Sequence, residues 1–289
     1  MTYTEPQQSS LYQTYMEKLR WRVVHIGDVQ VFIRSFPLMG GMMKMHRPKK
    51  LPDISEMTSL VKTYRVRTLV VEPVLTQNEK ELNEWCTAMR HHVQISSTPY
   101  LPTKTIQIDV TRDTDKIFSS LSEAKRRAVR RATALGVTVS ESESIHDVLS
   151  IKNASAGLFG FMTTSGMKEL WEVFAPEHAS GVLAFNSQKK IIGGVLLLHY
   201  DHVTYYWIAG ASKEGKKLFA PTLLGWEALK IAKARKSNIF DFVGVWDERI
   251  PNENTQWLGF TKFKEGFGGK SIYYPLVYTK LRSNSKKSV

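Results

Sequence analysis

The residue types that carry nucleophilic or metal chemistry are few in this chain and poorly spaced for it. Gly269-Lys270-Ser271 has the ending of a phosphate-binding loop, but Lys264 stands where the loop's opening glycine belongs, so the backbone cradle is missing. No Gly-x-Ser-x-Gly turn presents an activated serine, and no His-Glu-x-x-His helix presents two zinc ligands on one face. His91 and His92, adjacent at a helix end, point in different directions and read as surface residues. The single cysteine, Cys86, lies beside Trp85 and near Ala88 on an amphipathic pattern, where a packed thiol is expected. Alone, it makes neither an internal disulfide nor a thiolate metal site, and this usage fits a reducing cytoplasm.

What the chain has in excess is positive charge. Forty Lys and Arg against 27 Asp and Glu give a net charge of +13 over 289 residues. The cations crowd into residues 44–50, 125–131, 213–217 and 280–287. Such clusters fit a polyanionic partner such as RNA, a nucleotide sugar or an anionic lipid, or else several solvated faces and a loose basic tail at 281–289. With 42% apolar residues the chain can bury a core of one large or two small domains, which excludes disordered and low-complexity classes. The longest apolar run, residues 191–198, is too short to span a membrane, and no leader pattern opens the chain.

Two α/β sections must position whatever chemistry there is. In the first, residues 29–36 and 67–71 read as strands, and residues 53–64 and 78–90 as capped helices. Residues 105–110 form a strand by alternation, with Ile106 and Ile108 on one side and Gln107 and Asp109 on the other. A helix follows over 123–135, with Ser122 as N-cap and Gly136 closing it in the left-handed conformation. Its Ala124, Ala128, Ala132 and Leu135 are expected inside, leaving Arg126/Arg130 and Arg127/Arg131 as like-charged i,i+4 pairs facing an anionic partner. The second section reads as a strand at 137–140, helices near 144–157 and 166–174, and strands at 182–185, 191–198 and 203–209. A helix from Ala220-Pro221 to Lys236, a strand at 239–243, a helix near 254–264 and a strand at 271–278 complete it. Three strands in succession predict an antiparallel meander, and the order of elements is that of the GNAT acyltransferase fold. An acetyl-CoA enzyme of that fold needs small residues with free amides at the start of the long helix. Here Ser212 to Pro221 has Gly215 but also Phe219 and Pro221, and proline has no N–H to donate.

Four stretches in order resemble the Fem-type (FemABX) peptidoglycan interpeptide-bridge aminoacyltransferases. The first is Thr105-Ile106-Gln107-Ile108-Asp109-Val110, followed by Arg126, Val129, Arg130, Ala132, Gly136 and Val137. Next come Tyr206-Trp207-Ile208-Ala209-Gly210-Ala211-Ser212 and, after Pro221, Leu223-Leu224-Gly225-Trp226-Glu227-Ala228. The third is Phe240-Asp241-Phe242-Val243-Gly244-Val245, and the fourth runs from Gly259 through Phe263-Lys264 to Gly268-Gly269.

This resemblance implies an α/β chain of two GNAT-like domains, with mixed, mostly antiparallel sheets flanked by helices and no coiled-coil arm. The expected division is a degenerate domain at 1–136, completed by 270–280, and a second at 137–269. The implied reaction moves an amino acid from aminoacyl-tRNA to an amine of a peptidoglycan precursor, UDP-linked or lipid-linked, in a cytoplasmic monomer that can touch the inner membrane surface. Aminoacyl-tRNA is a co-substrate, and no metal or bound cofactor is implied. Lys264 matches the lysine that stabilises the tetrahedral oxyanion, cationic near its ordinary pKa of about 10.4, and Phe263 the neighbour whose backbone faces the acceptor. Substrate contacts are expected from Lys49 or Lys50, with Lys44 and Arg47 in the same segment, and from Arg126, Arg130, Tyr206, Trp207, Ser212, Lys217 and Asp241. The family's arginine in the helix after the second domain's first strand has no counterpart in residues 153–159, which puts a UDP-linked acceptor in question. Two other readings stay open: an acyl-CoA-dependent N-acyltransferase of the same fold, and an RNA-binding module without catalysis.

Overall fold

A computed structural model describes residues 3–38, 40–156 and 162–277. The basic tail at 281–289, and Gly157, Leu158 and Phe159 of the helix without an arginine, lie outside the described residues. The chain divides into two compact units: the first comprises Gln7–Thr103 and the chain from Tyr273 onward, the second Met1–Pro6 and Lys104–Ile272.

The first unit carries a five-stranded mixed sheet of β1 (Arg22–Ile26), β2 (Val29–Phe36), β3 (Gly40–His46), β4 (Val66–Glu72) and β5 (Gln94–Ile95), in that order. The β1–β2 and β2–β3 pairs are antiparallel, and β3–β4 and β4–β5 are parallel. Its helices are α1 (Ser10–Lys18), α2 (Ile54–Thr63) and α3 (Glu79–Met89). Asp53 accepts from the amides of Ser55 and Glu56, and Asn78 from those of Lys80 and Glu81, so both expected helix starts are held by side-chain caps. Alternate residues Val31, Ile33, Met43 and Met45 meet Met57, Leu82 and Cys86 in the core. Cys86 is fully buried and burial pushes its thiol up to about 11, the packed cysteine the pattern predicted.

The second unit holds β6 (Lys104–Asp109), α4 (Thr114–Ser120), α5 (Glu123–Ala134), β7 (Thr138–Ser142), α6 (Ile145–Ala156), α7 (Met167–Phe174), β8 (Ala179–Phe185), β9 (Ile191–Tyr200) and β10 (Val203–Ala211). It continues with α8 (Lys213–Lys217), α9 (Ala220–Ala234), β11 (Ile239–Asp241), α10 (Leu258–Glu265) and β12 (Lys270–Tyr273). The strands form a seven-stranded sheet in the order β12-β6-β11-β10-β9-β8-β7. The expected meander is present as antiparallel β7–β8, β8–β9 and β9–β10 pairs, while β10 and β11 run parallel. Among the described residues the longest helix is α9, with 15 residues.

Two expectations change. The boundary near residue 136 moves to 103/104, because β6 pairs antiparallel with β11 across Asp109–Ile239 to Gln107–Asp241 and so belongs to the second sheet. Strand pairing over this separation leaves no mark in local sequence. The inner face of α5 is also rotated. Lys125, Val129 and Ala132 turn inward, whereas Ala124 is exposed and Leu135 is 43% exposed. Ser122 caps α5 through the amide of Lys125, and Gly136 has φ +78°, both as expected.

Candidate functional site

In the second unit β10 and β11 share only three residue pairs, Val203–Ile239 to Tyr205–Asp241. Beyond them β11 ends, while β10 continues past a register shift between Tyr206 and Ile208 that leaves Trp207 as the bulged residue. The chain after β11 turns sharply at Val243, which has φ +68°, a strained conformation for a β-branched residue. The Gly244 amide donates to Phe242 O at 2.8 Å across this turn.

Lys264, near the end of α10, reaches this turn. Its Nζ donates to Phe242 O at 2.8 Å and to Gly244 O at 2.6 Å, and lies 4.8 Å from the Phe260 ring centroid. An ammonium has three donors, so one remains for another acceptor. Burial is the largest influence on the amine and draws its pKa down to about 7, with Asp241 opposing this and Lys152 adding to it. This corrects the expectation of a lysine near its ordinary pKa.

Asp241 lies beneath the turn, 2% exposed. Its Oδ1 accepts from Thr105 Oγ1 at 2.5 Å and from the Val243 amide at 2.6 Å, and its Oδ2 from Gln107 Nε2 at 2.8 Å. Every partner is a donor, the pattern of an ionised carboxylate. Burial pushes its pKa above the usual range, while the three hydrogen bonds and Lys264 pull it back.

Lys152 comes from α6, which lies close against β10: a methyl group at Gly210 would come within 2.6 Å of Lys152 Cα and 2.8 Å of Ser155 Oγ. Burial lowers the pKa of Lys152 as well, with no carboxylate opposing it. Sequence reasoning missed Lys152, Thr105 and Gln107. The alternation of β6 placed Gln107 away from the apolar face, but only the pairing with β11 brings it opposite Asp241.

The remaining predicted residues are dispersed. Phe263 packs edge-on to Phe267 at 5.3 Å, with Lys125 Nζ 3.5 Å from its ring centroid; burial lowers the pKa of Lys125 to about 8. Arg126 is tied down locally, donating from Nη1 to Ser119 O and Leu121 O at 2.7 Å each. Arg130 is exposed, 5.5 Å from the Phe118 ring. Tyr206 is 5% exposed and sits between Phe240 and Phe242 in the core, whereas Trp207 is half-buried, so alternation at the bulge turns one of the two outward. Ser212 caps α8 by accepting from the Gly215 amide at 3.0 Å, and Lys217 is exposed. In the first unit, Lys49 and Lys50 are exposed beyond β3. Arg47 is buried, donating to Pro73 O at 2.7 Å and Pro102 O at 2.6 Å, and Lys44 lies between the rings of Trp21 and Tyr100. Of the predicted residues, the second unit brings Lys264 and Asp241 together.

The segment where a CoA pyrophosphate would sit is closed. A methyl group at Gly215 would stand 2.1 Å from Ile192 O, so this glycine serves packing of α8 on β9. The amides of Lys216, Leu218 and Phe219 donate to Ser212 O, Glu214 O and Lys216 O. Pro221 has no amide hydrogen to offer.

Residues 177–275 match the FemAB family. No curated protein matches the chain in sequence. In fold, the chain is similar to a crystal structure of FemX, at 12% identity with a TM-score of 0.70, over 94% of this chain and 91% of that one. Similarity extends to L-PGS from Bacillus licheniformis, at 9% identity and TM-score 0.52 over 92% and 88% of the two chains. A tandem GNAT protein from the clavulanic acid biosynthesis pathway matches at 10% identity and TM-score 0.52, over 85% and 76%. The Fem-type resemblance and the two-part GNAT-like architecture are thereby borne out.

Proposed function

We propose that this chain is an acyltransferase of the Fem type that moves an amino acid from aminoacyl-tRNA to an amine of a peptidoglycan precursor. The observation that carries the reading is Lys264, held by two backbone carbonyls with one N–H left over, inside the segment that matches FemAB. In the reaction the acceptor nitrogen attacks the ester carbonyl carbon, a C–N bond forms, and the C–O bond to the ribose breaks. The acceptor amine loses a proton and the ribose oxygen gains one. The ester is already activated, so the enzyme supplies orientation and charge stabilisation rather than a covalent nucleophile. The free N–H of Lys264 donates to the oxyanion of the tetrahedral intermediate. Aminoacyl-tRNA is the co-substrate in this reading, with no bound cofactor, and the net charge of +13 suits two polyanionic substrates.

The acyl-CoA alternative is disfavoured by Gly215 packed against Ile192 O and by the amides spent inside the α8–α9 segment. The deciding experiment supplies a pool of tRNA charged with labelled amino acids, with lipid II or UDP-linked pentapeptide as acceptor, and labelled acetyl-CoA in parallel. Transfer from tRNA is expected. Transfer from acetyl-CoA alone would overturn the donor assignment, and salt-sensitive RNA binding without turnover would leave only the binding module.

A further inference from the structure

Lys264 is held by a turn that another residue builds. The two carbonyls it touches belong to Phe242 and Gly244, and the residue between them, Val243, is kept at φ +68° with its amide donating to Asp241 Oδ1 at 2.6 Å. Asp241 is fixed in turn by Thr105 and Gln107 of β6, so β6, β11 and the turn form one rigid seat for the amine. On the other side, α6 is pressed against β10 at Gly210, which fixes the backbone of Lys152. Among the described residues no hydrogen bond or ion pair engages the Lys152 ammonium.

We propose that Asp241 and Lys152 are positioning residues that set the charge of the Lys264 amine from opposite sides, Asp241 through the turn it pins and its own negative charge, Lys152 through an uncompensated positive one. The other charged groups nearby are otherwise engaged or point away. Asp247 pairs with Arg249 at 2.7 Å, Glu248 with Lys104 at 2.6 Å, and Lys262 and Glu265 of α10 are exposed. Asp241 and Lys152 are the charged groups that act on Lys264, in opposite senses.

The test is competitive labelling of Lys264 in the full-length protein with acetic anhydride from about pH 5 to about pH 10, read by peptide mass, which reports the amine's ionisation without any turnover. Asp241→Asn removes the charge but keeps an oxygen for Thr105 and Val243, and a flipped Gln107 amide accepts from the new Nδ2. It should move the labelling midpoint down by about one pH unit, and Lys152→Met should move it up by a similar amount. Equal midpoints in the parent and both variants, or shifts in the same direction, would overturn the inference. If Asp241→Asn does not fold, Lys152→Met decides alone, and an unmoved midpoint overturns it. The link to turnover rests on the reading of Lys264 as oxyanion donor. Midpoints that move while the pH–rate profile does not would uphold the positioning role and remove Lys264 from the proposed chemistry.

Discussion

Two of the three protons on Lys264 are engaged by carbonyls at 2.8 and 2.6 Å, so the amine is oriented before any substrate arrives. Replacing it with methionine should lower kcat by about 10²–10³-fold, the usual loss for one preorganised oxyanion donor, while circular dichroism stays that of the parent. Unchanged turnover in Lys264→Met would remove the catalytic assignment. Because the donor must be charged, turnover should fall as pH rises through about 7, where burial has placed this amine. Arg126 predicts the opposite split. Its guanidinium closes the α4–α5 corner through Ser119 O and Leu121 O, so Arg126→Ala should cost about 1 kcal/mol in urea denaturation and leave kcat unchanged. The sequence made Lys264 and Asp241 legible because each sits in a short stretch of fixed spacing. It made Lys152 invisible, because nothing in the helix around it says which strand lies underneath.

At the scale of elements, the caps at Asp53, Asn78 and Ser122 and the meander were readable, since a cap and a two-residue alternation are local properties. The pairing of β6 with β11, and the rotation of α5 toward Lys125, depend on contacts made far along the chain. The close approach of α6 to β10 is one such contact and is testable. Gly210→Ala puts a methyl group 2.6 Å from Lys152 Cα, so it should destabilise the fold by roughly 1–3 kcal/mol and lower turnover by displacing α6. Gly259→Ala is the matched control. Nothing lies within 4 Å of a methyl group there, and in α10 alanine should add roughly 0.5–1 kcal/mol of stability with kcat intact.

Across the whole molecule, each unit buries a histidine that burial holds neutral. His46 in the first unit and His199 in the second both have pKa values drawn down to about 3. His199 links Ser180 Oγ at 2.9 Å to Thr204 Oγ1 at 2.9 Å, and Thr204 bonds to Ser237 Oγ at 2.8 Å. In the unfolded chain these rings take up protons near pH 6.5, so their contribution to stability is complete above that pH and is lost as pH falls toward 3. Each should remove roughly 1.4 kcal/mol per pH unit in that window, read as a falling urea midpoint between pH 7 and pH 4. His199→Gln should flatten this slope, and an unchanged slope would show that other groups govern acid unfolding.

The first unit closes late in synthesis. Its sheet is translated by residue 95, yet the Tyr274 amide donates to Thr103 O at 2.9 Å, the Arg47 guanidinium lies 3.5 Å from the Tyr274 ring, and Val277 packs against the first core. A ribosome must therefore make the whole of Lys104–Ile272 before the earlier-made half receives its last residues. A nonsense codon after Ile272 would spare most of the later-made half and leave the earliest-made half without its lid on Arg47, so limited proteolysis of that truncated product should cut first within residues 7–103.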